Sequence, residues 1–384
     1  MLGYLIAAEE ANPLTRWLAV RRLADHPAGE AVMRRVLSDG GVDVFTRGAL
    51  AEALGQRGDP DAIPLLLQIA DDRAADAHLR SQAVLALGLH DQPSTEPALM
   101  RLAGNQTEDD VLRGLAAEHL PHELSEQSRR QLRDMLRRER VPAPIVVGAL
   151  RALRRARDRE ALPLMLRYAQ DEAIDVAQAA IGGLTTLGDA SVTPDLVRIT
   201  QSPNADRAVR LEAAGALLRL GGAEFRPLLQ TYLDQGALPL RLQALEYLIA
   251  TGASSDELLA LLADRDQPLL LRLRAVECLG EDPRAHPALL DILRDGDDDA
   301  HLRCLATEAL GRTRYAPALE VLIGLAERAD TPASVRLRCI NGIGTIGGTE
   351  AWLALSRMAE NNARMPVVRY WATLALRQVT NDEG

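Results

Sequence analysis

Chemistry needs ionisable or nucleophilic side chains at workable spacing, and this chain offers few. His119 and His122 stand three residues apart, with Glu123 next. That separation suits a metal only if one helix aligns the rings, and Pro121 breaks such a helix. Solvated loop histidines are expected instead. Cys278, Cys304 and Cys339 are odd in number and far apart. They outline neither a disulfide framework nor a zinc knuckle. Cys278 and Cys339 fall at or near an apolar stripe, where packing is the expected role. All 44 basic residues are Arg, so no Schiff-base lysine, phosphate-loop lysine or lysine modification is available. The residues predict no catalytic group, cofactor or metal site.

The densest basic stretch runs from Arg129 to Arg159 and offers Arg130, Arg133, Arg137, Arg154 and Arg155 as a candidate patch. It would be a solvated face, a dock for an acidic protein surface, or an RNA contact, although it lacks the interleaved aromatics that stack bases. A net charge of −10 and a pI near 5.3 argue against a general nucleic-acid binder.

The elements that must position these residues announce themselves as a repeat. LRSQAVLALG from Leu79 returns as VRLEAAGALLRLGG from Val209, HLRCLATEALG from His301 and SVRLRCINGIGTIGG from Ser334. Taking the Arg of this phrase as an anchor puts anchors at Arg16, Arg47, Arg80, Arg113, Val146, Ala177, Arg210, Arg241, Arg272, Arg303, Arg336 and Arg369, at intervals of 31 or 33 residues. Three residues on stands a small residue, such as Ala83 or Ala275, and seven on a Leu, such as Leu87 or Leu279. Those offsets make one apolar helical stripe. Gly55, Gly88, Gly280 and Gly311, eight after the anchor, and Gly188, Gly221, Gly252 and Gly347, eleven after it, read as helix stops. Before each anchor helix lies a partner helix of Pro-x-Leu type, as in IPLLLQIADD from Ile63 and HPALLDILRD from His286. Neither helix buries its stripe alone, so stacked pairs are required. The reading is all-α: an α-α superhelix of about twelve helix pairs, forming one solenoid over residues 2–380. Around Val141 to Pro144 the anchor Arg is lost, which suggests an irregular junction inside that array. Asp43, Asp76, Asp109, Asp206 and Asp299, four before an anchor, are expected to pair with it along the helix, with a ladder of Arg bridging to the next repeat as a further option.

The anchor phrase with its Asp and Pro-x-Leu partner resembles HEAT repeats, of the short variety named after phycobilisome lyases. The resemblance covers nearly the whole chain and implies an armadillo-like, all-helical solenoid. It implies function less narrowly, since such proteins include scaffolds, regulatory subunits, bilin lyases, an iron hydroxylase and a DNA glycosylase. The hydroxylases resembling deoxyhypusine hydroxylase carry repeated His-Glu pairs on inner helices. Here the one such pair, His122-Glu123, falls outside a helix, and Ser81-Gln82, Gly114-Leu115 and Leu211-Glu212 occupy comparable inner positions.

A non-enzymatic protein-interaction scaffold is therefore the primary expectation. A bilin-lyase-type enzyme or auxiliary subunit is the alternative, and a nucleic-acid-binding solenoid the next. In a solenoid of this kind the anchor helices line the concave side. The position five after the anchor should face that groove, and Glu246, Glu277 and Glu308 occupy it in three consecutive repeats. With Leu242, Leu273 and Cys304 as an apolar margin, they form a ridge suited to a basic or amphipathic protein segment. The bland counterpart is that Glu simply fills these positions. Trp17 near one end, with Tyr4, and Trp352, Tyr370 and Trp371 near the other either cap the stack or anchor contacts, including contacts between copies. The apolar run Met1 to Ala8 is short and ends at Glu9 and Glu10, so no signal peptide is expected. No stretch is long and apolar enough to span a membrane, and a cytoplasmic protein is expected.

Overall fold

A computed structural model of the chain describes residues 6, 12–39, 41–188, 190–361 and 366–381. The described residues fold into helices only: α1 Pro13–Ala24, α2 Gly29–Ser38, α3 Val44–Arg57, α4 Ile63–Asp71, α5 Ala77–His90, α6 Glu96–Gly104, α7 Asp110–Glu118, α8 Glu126–Arg137, α9 Ala143–Arg155, α10 Leu162–Tyr168, α11 Ile174–Leu187, α12 Thr193–Gln201 and α13 Arg207–Arg219, then α14 Arg226–Gln235, α15 Leu238–Ala250, α16 Ser255–Ala263, α17 Leu269–Leu279, α18 His286–Arg294, α19 Ala300–Arg312, α20 Leu319–Glu327, α21 Ala333–Ile346, α22 Gly348–Glu360 and α23 Pro366–Asn381. Odd-numbered helices carry the anchors, and even-numbered ones are the partners. Two compact units result, residues 1–223 and 224–384. Within each, an anchor helix packs on its own partner and on the neighbouring anchor helix. The irregular stretch from Val141 to Pro144 lies inside the first unit.

The period explains the core. Every Ala three after an anchor, from Ala83 to Ala372, is fully buried, as are the residues seven after it from Leu23 to Ile343 to within a few per cent. Partner helices begin with Pro in the first turn (Pro64, Pro97, Pro163, Pro194, Pro227 and Pro287), where a missing N–H costs nothing.

The anchor Arg does something the repeat alone does not reveal. Its guanidinium turns back and donates to a carbonyl in the last turn of the partner helix: Arg47 to Leu37 (3.2 Å), Arg80 to Ala70 (3.0 Å), Arg113 to Ala103 (3.3 Å) and Arg272 to Leu262 (3.1 Å). Helix ends leave such carbonyls unpaired, and a cation there also meets the negative end of the helix dipole. The free arm of the guanidinium reaches the next repeat, from Arg16 to Asp43 (2.5 Å), Arg80 to Glu108 (2.9 Å) and Arg272 to both oxygens of Asp298 (2.8 Å each). Bridges to the next repeat are therefore present at these three places, although Arg113 pairs with Asp110 of its own helix instead, and the acid in the last two cases stands five residues before the next anchor. The Asp four before the anchor has a different task. Asp43, Asp76, Asp109, Asp206 and Asp299 are N-caps, accepting from backbone N–H groups two or three residues on. Capping displaces the expected pairing along the helix.

Where Val146 replaces the anchor, the exposed carbonyl still finds a donor. The buried Tyr168 hydroxyl, on α10, donates to Leu136 O at 2.8 Å, ten residues before Val146 and so in the position an anchor Arg would serve.

The glycines divide by position. Eleven after the anchor, Gly221, Gly252 and Gly347 do turn left-handed, as do Gly58, Asp91, Arg157 and Arg314 in other repeats, whereas Gly188 does not. Eight after it, Gly55, Gly88 and Gly311 lie inside helices and stop nothing, and Gly280 ends its helix without leaving the right-handed region. At Gly55 and Gly88 the role is close approach: a Cβ on Gly55 would lie 2.8 Å from Ala86 Cα of α5, and one on Gly88 2.5 Å from the His119 ring.

Candidate functional site

In the second unit each anchor helix leaves one face open or half-buried. It comprises the residues two before the anchor and one, two and five after it, the spacing of a single helical stripe. Glu246, Glu277 and Glu308 are about half exposed on this face of α15, α17 and α19 in the second unit. Leu242, Leu273 and Cys304 beside them are half-buried.

The ridge is less acidic than its carboxylates suggest. Arg274, two after its anchor, donates to Glu246 at 2.5 Å and to Glu277 at 3.0 Å, and Arg338 stands 3.6 Å from Glu308. Three carboxylates and two guanidinium groups leave a net charge of −1. Paired acids hold the Arg274 guanidinium well above its ordinary range, with the Glu246 bond the largest cause and the Glu277 bond the next. Between α17 and α19 the ridge opens into a cleft of about 170 Å³, where Glu277 and Glu308 face Leu305 and Ala309, with Arg312 at its edge.

The tryptophans and Tyr370 are exposed. Trp17, Trp352 and Trp371 are between 39% and 47% exposed, too open for capping an apolar stack. Tyr370 and Trp371 meet edge to face on α23, centroids 6.2 Å apart, while Trp352 is on the partner helix α22. The Arg21 guanidinium covers the Trp17 ring at 4.9 Å. Tyr4 lies outside the described residues. One exposed set escaped the sequence reading. Phe45 (77% exposed), Val111, Leu270 and Val367 each stand two before an anchor. The buried residue beside each in sequence (Thr46, Leu112, Leu271, Val368) masks them in a one-dimensional pattern.

Ion pairs and burial engage much of the basic stretch. Arg133 is 3% exposed and pairs with Asp158, Glu126 and Glu160. Arg155 is half-buried and donates to the carbonyls of Glu118 and Leu120 at the end of α7, and burial lowers its pKa. Neither can offer charge to a partner. Arg130 and Arg137 are exposed but bonded to Glu126 (3.1 Å) and Asp134 (2.7 Å), and Arg154 is half-buried.

His122 sits in the loop after α7, 62% exposed and 3.0 Å from Asp91. His119 does not share that loop setting. It ends α7, with Nδ1 3.0 Å from Leu115 O and its ring against Gly88. Burial raises all three thiol pKa values, Cys339 to about 12, which keeps them protonated and poorly nucleophilic. Among the described residues no group of three or more His, Cys, Asp or Glu could hold a metal, and no helix is long and apolar enough to cross a membrane.

Comparison with known proteins places this architecture. The family model for HEAT repeats matches residues 4–77 and 168–250. Human deoxyhypusine hydroxylase is similar in structure at 18% identity and a TM-score of 0.33, covering 99% of this chain and 95% of that one. Yeast importin-β is similar at 12% identity and a TM-score of 0.45, covering 98% of this chain and 62% of that one. No curated protein matches the chain in sequence. The two matched segments carry HEAT repeats, and the same anchor-and-partner pair fills the rest of the described chain.

Proposed function

We propose that the protein is a non-enzymatic scaffold that holds a basic, amphipathic protein segment on the open face of its second unit. The observation that carries this reading is the cleft shared by Glu277, Glu308, Leu305 and Ala309. It has room for one side chain, and its rim, two carboxylates with Arg312 turned toward Glu281 at 4.0 Å, over an apolar floor suits the aliphatic stem and cationic head of Arg or Lys. Glu246 extends the same lane by one repeat. Packed helices lie about 10 Å apart, close to the roughly 10.5 Å spanned by seven residues of an α-helix. A helical partner with basic residues seven apart would therefore stay in register with the Glu lane.

Because Arg274 and Arg338 already offset most of the charge, apolar contacts supply most of the affinity and the carboxylates supply selectivity. The basic stretch, with Arg133 and Arg155 withdrawn, gives a nucleic-acid reading little to stand on, and the protonated thiols give a lyase reading no nucleophile.

Fluorescence anisotropy with a labelled amphipathic peptide bearing Arg at seven-residue spacing tests the reading. Replacing Glu246, Glu277 and Glu308 together with Arg should weaken binding about tenfold, some 1.4 kcal/mol, and should improve binding of the Glu-bearing counterpart. Equal affinity of wild type and variant for both peptides would remove the site.

A further inference from the structure

A second cleft of the second unit is not on the anchor-helix face. It is a cleft of about 440 Å³ with α14 and α16 as walls and α15 as floor. Leu233, Leu245, Leu248 and Leu258 line it and are almost completely buried, so its base is apolar and already shaped. Small residues, Ala253 and Ala260, stand where bulkier ones would close it. That volume and lining are those of a small-molecule site.

Its polar groups are distributed unevenly. At one end Glu257 is fully engaged, taking both of its oxygens to Arg226 at 2.7 and 2.9 Å. At the other end stand Asp234, in the last turn of α14, and Asp264, which ends α16. Asp234 accepts one bond from Gln230 at 2.9 Å. Asp264 accepts from Gln267 at 2.7 Å and from the Asp266 N–H at 3.0 Å. The cation already present, Arg241, bonds the Leu233 carbonyl at 2.6 Å and Gln267 rather than either carboxylate directly, although its charge and that of Arg272 still act on Asp264.

We propose that this cleft binds a small amphipathic ammonium ion, its apolar body on the leucine floor and its charged head at the end bearing Asp234 and Asp264. The site is separate from the Glu lane and does not rest on the scaffold reading. A neutral ligand would leave the acidic end unused, and an anion would be repelled there.

Isothermal titration calorimetry with 3-phenylpropylammonium, 3-phenylpropanol and 3-phenylpropionate tests it on the full chain. The ammonium ion should bind at least tenfold more tightly than the alcohol, and the carboxylate should not bind. Asp234→Asn with Asp264→Asn should erase the preference for the cation. Ala260→Trp, on an exposed position of the wall, should abolish binding by filling the cleft, with circular dichroism confirming an unchanged helix content. Replacing Glu246, Glu277 and Glu308 should leave binding intact. Equal affinity for ammonium ion and alcohol overturns the proposal, and so does full affinity in folded Ala260→Trp. Should the double Asn variant not fold, salt decides: a cation preference unchanged by raised ionic strength overturns the assignment of charge.

Discussion

At the residue scale, the anchor Arg is the most consequential side chain. Arg272 is almost wholly buried, yet its charge is fully used by Asp298 and Leu262 O. Removing one member of a buried ion pair strands the other, which costs about 3–5 kcal/mol. Arg272→Ala should therefore lower stability by that order in urea unfolding, and a loss under 1 kcal/mol would show that Asp298 is not stranded. Glu108 gives the pH counterpart. Hydrogen bonds from Arg80 (2.9 Å), and then the charges of Arg80 and Arg73, hold its pKa below the ordinary value although burial opposes this. A folded pKa below the unfolded one contributes stability that is complete above the unfolded value, about 4.3, and is lost as pH falls through the folded value. Thermal melts between pH 6 and pH 3, roughly the range bracketing that value, should fall more steeply for wild type than for Glu108→Gln.

At the scale of elements, helix ends decide what is conserved in form from repeat to repeat. Tyr168 serves the Leu136 carbonyl where Val146 cannot. Tyr168→Phe should cost about 1 kcal/mol, more than the same change at the exposed Tyr370. Arg157 adopts φ 51° where its counterparts Gly58, Gly221, Gly252 and Gly347 are Gly. Arg157→Gly should thus be neutral or stabilising by up to about 1 kcal/mol, read as a raised melting temperature. The repeat was legible because Arg interrupts an Ala- and Leu-rich stripe at a fixed period. The task of that Arg was not, because its acceptor is a carbonyl on another helix. Gly55 and Gly221 look alike in sequence, yet one permits two helices to approach and the other permits a left-handed turn. Asp109 and Glu108 are adjacent acids with opposite assignments, one capping its helix and the other bridging repeats.

At the scale of the whole molecule, stacked repeats trade a single central core for local ones, and within the second unit they leave an open face on the anchor helices. Counting charges along the chain overstated the basic stretch, since Arg133 is buried among carboxylates and Arg155 is half-buried against carbonyls. It also overstated the ridge, since Arg274 and Arg338 lie across it. The apolar lane survives this correction and carries the proposed role. Hydroxyl-radical footprinting of the protein saturated with the Arg-bearing amphipathic peptide tests it most directly. The account predicts protection of Leu242, Leu273, Leu305 and Leu337, with Trp352 and Leu353 on α22 unchanged. Unaltered reactivity along the four leucines, with protection confined to the partner helices, would contradict it.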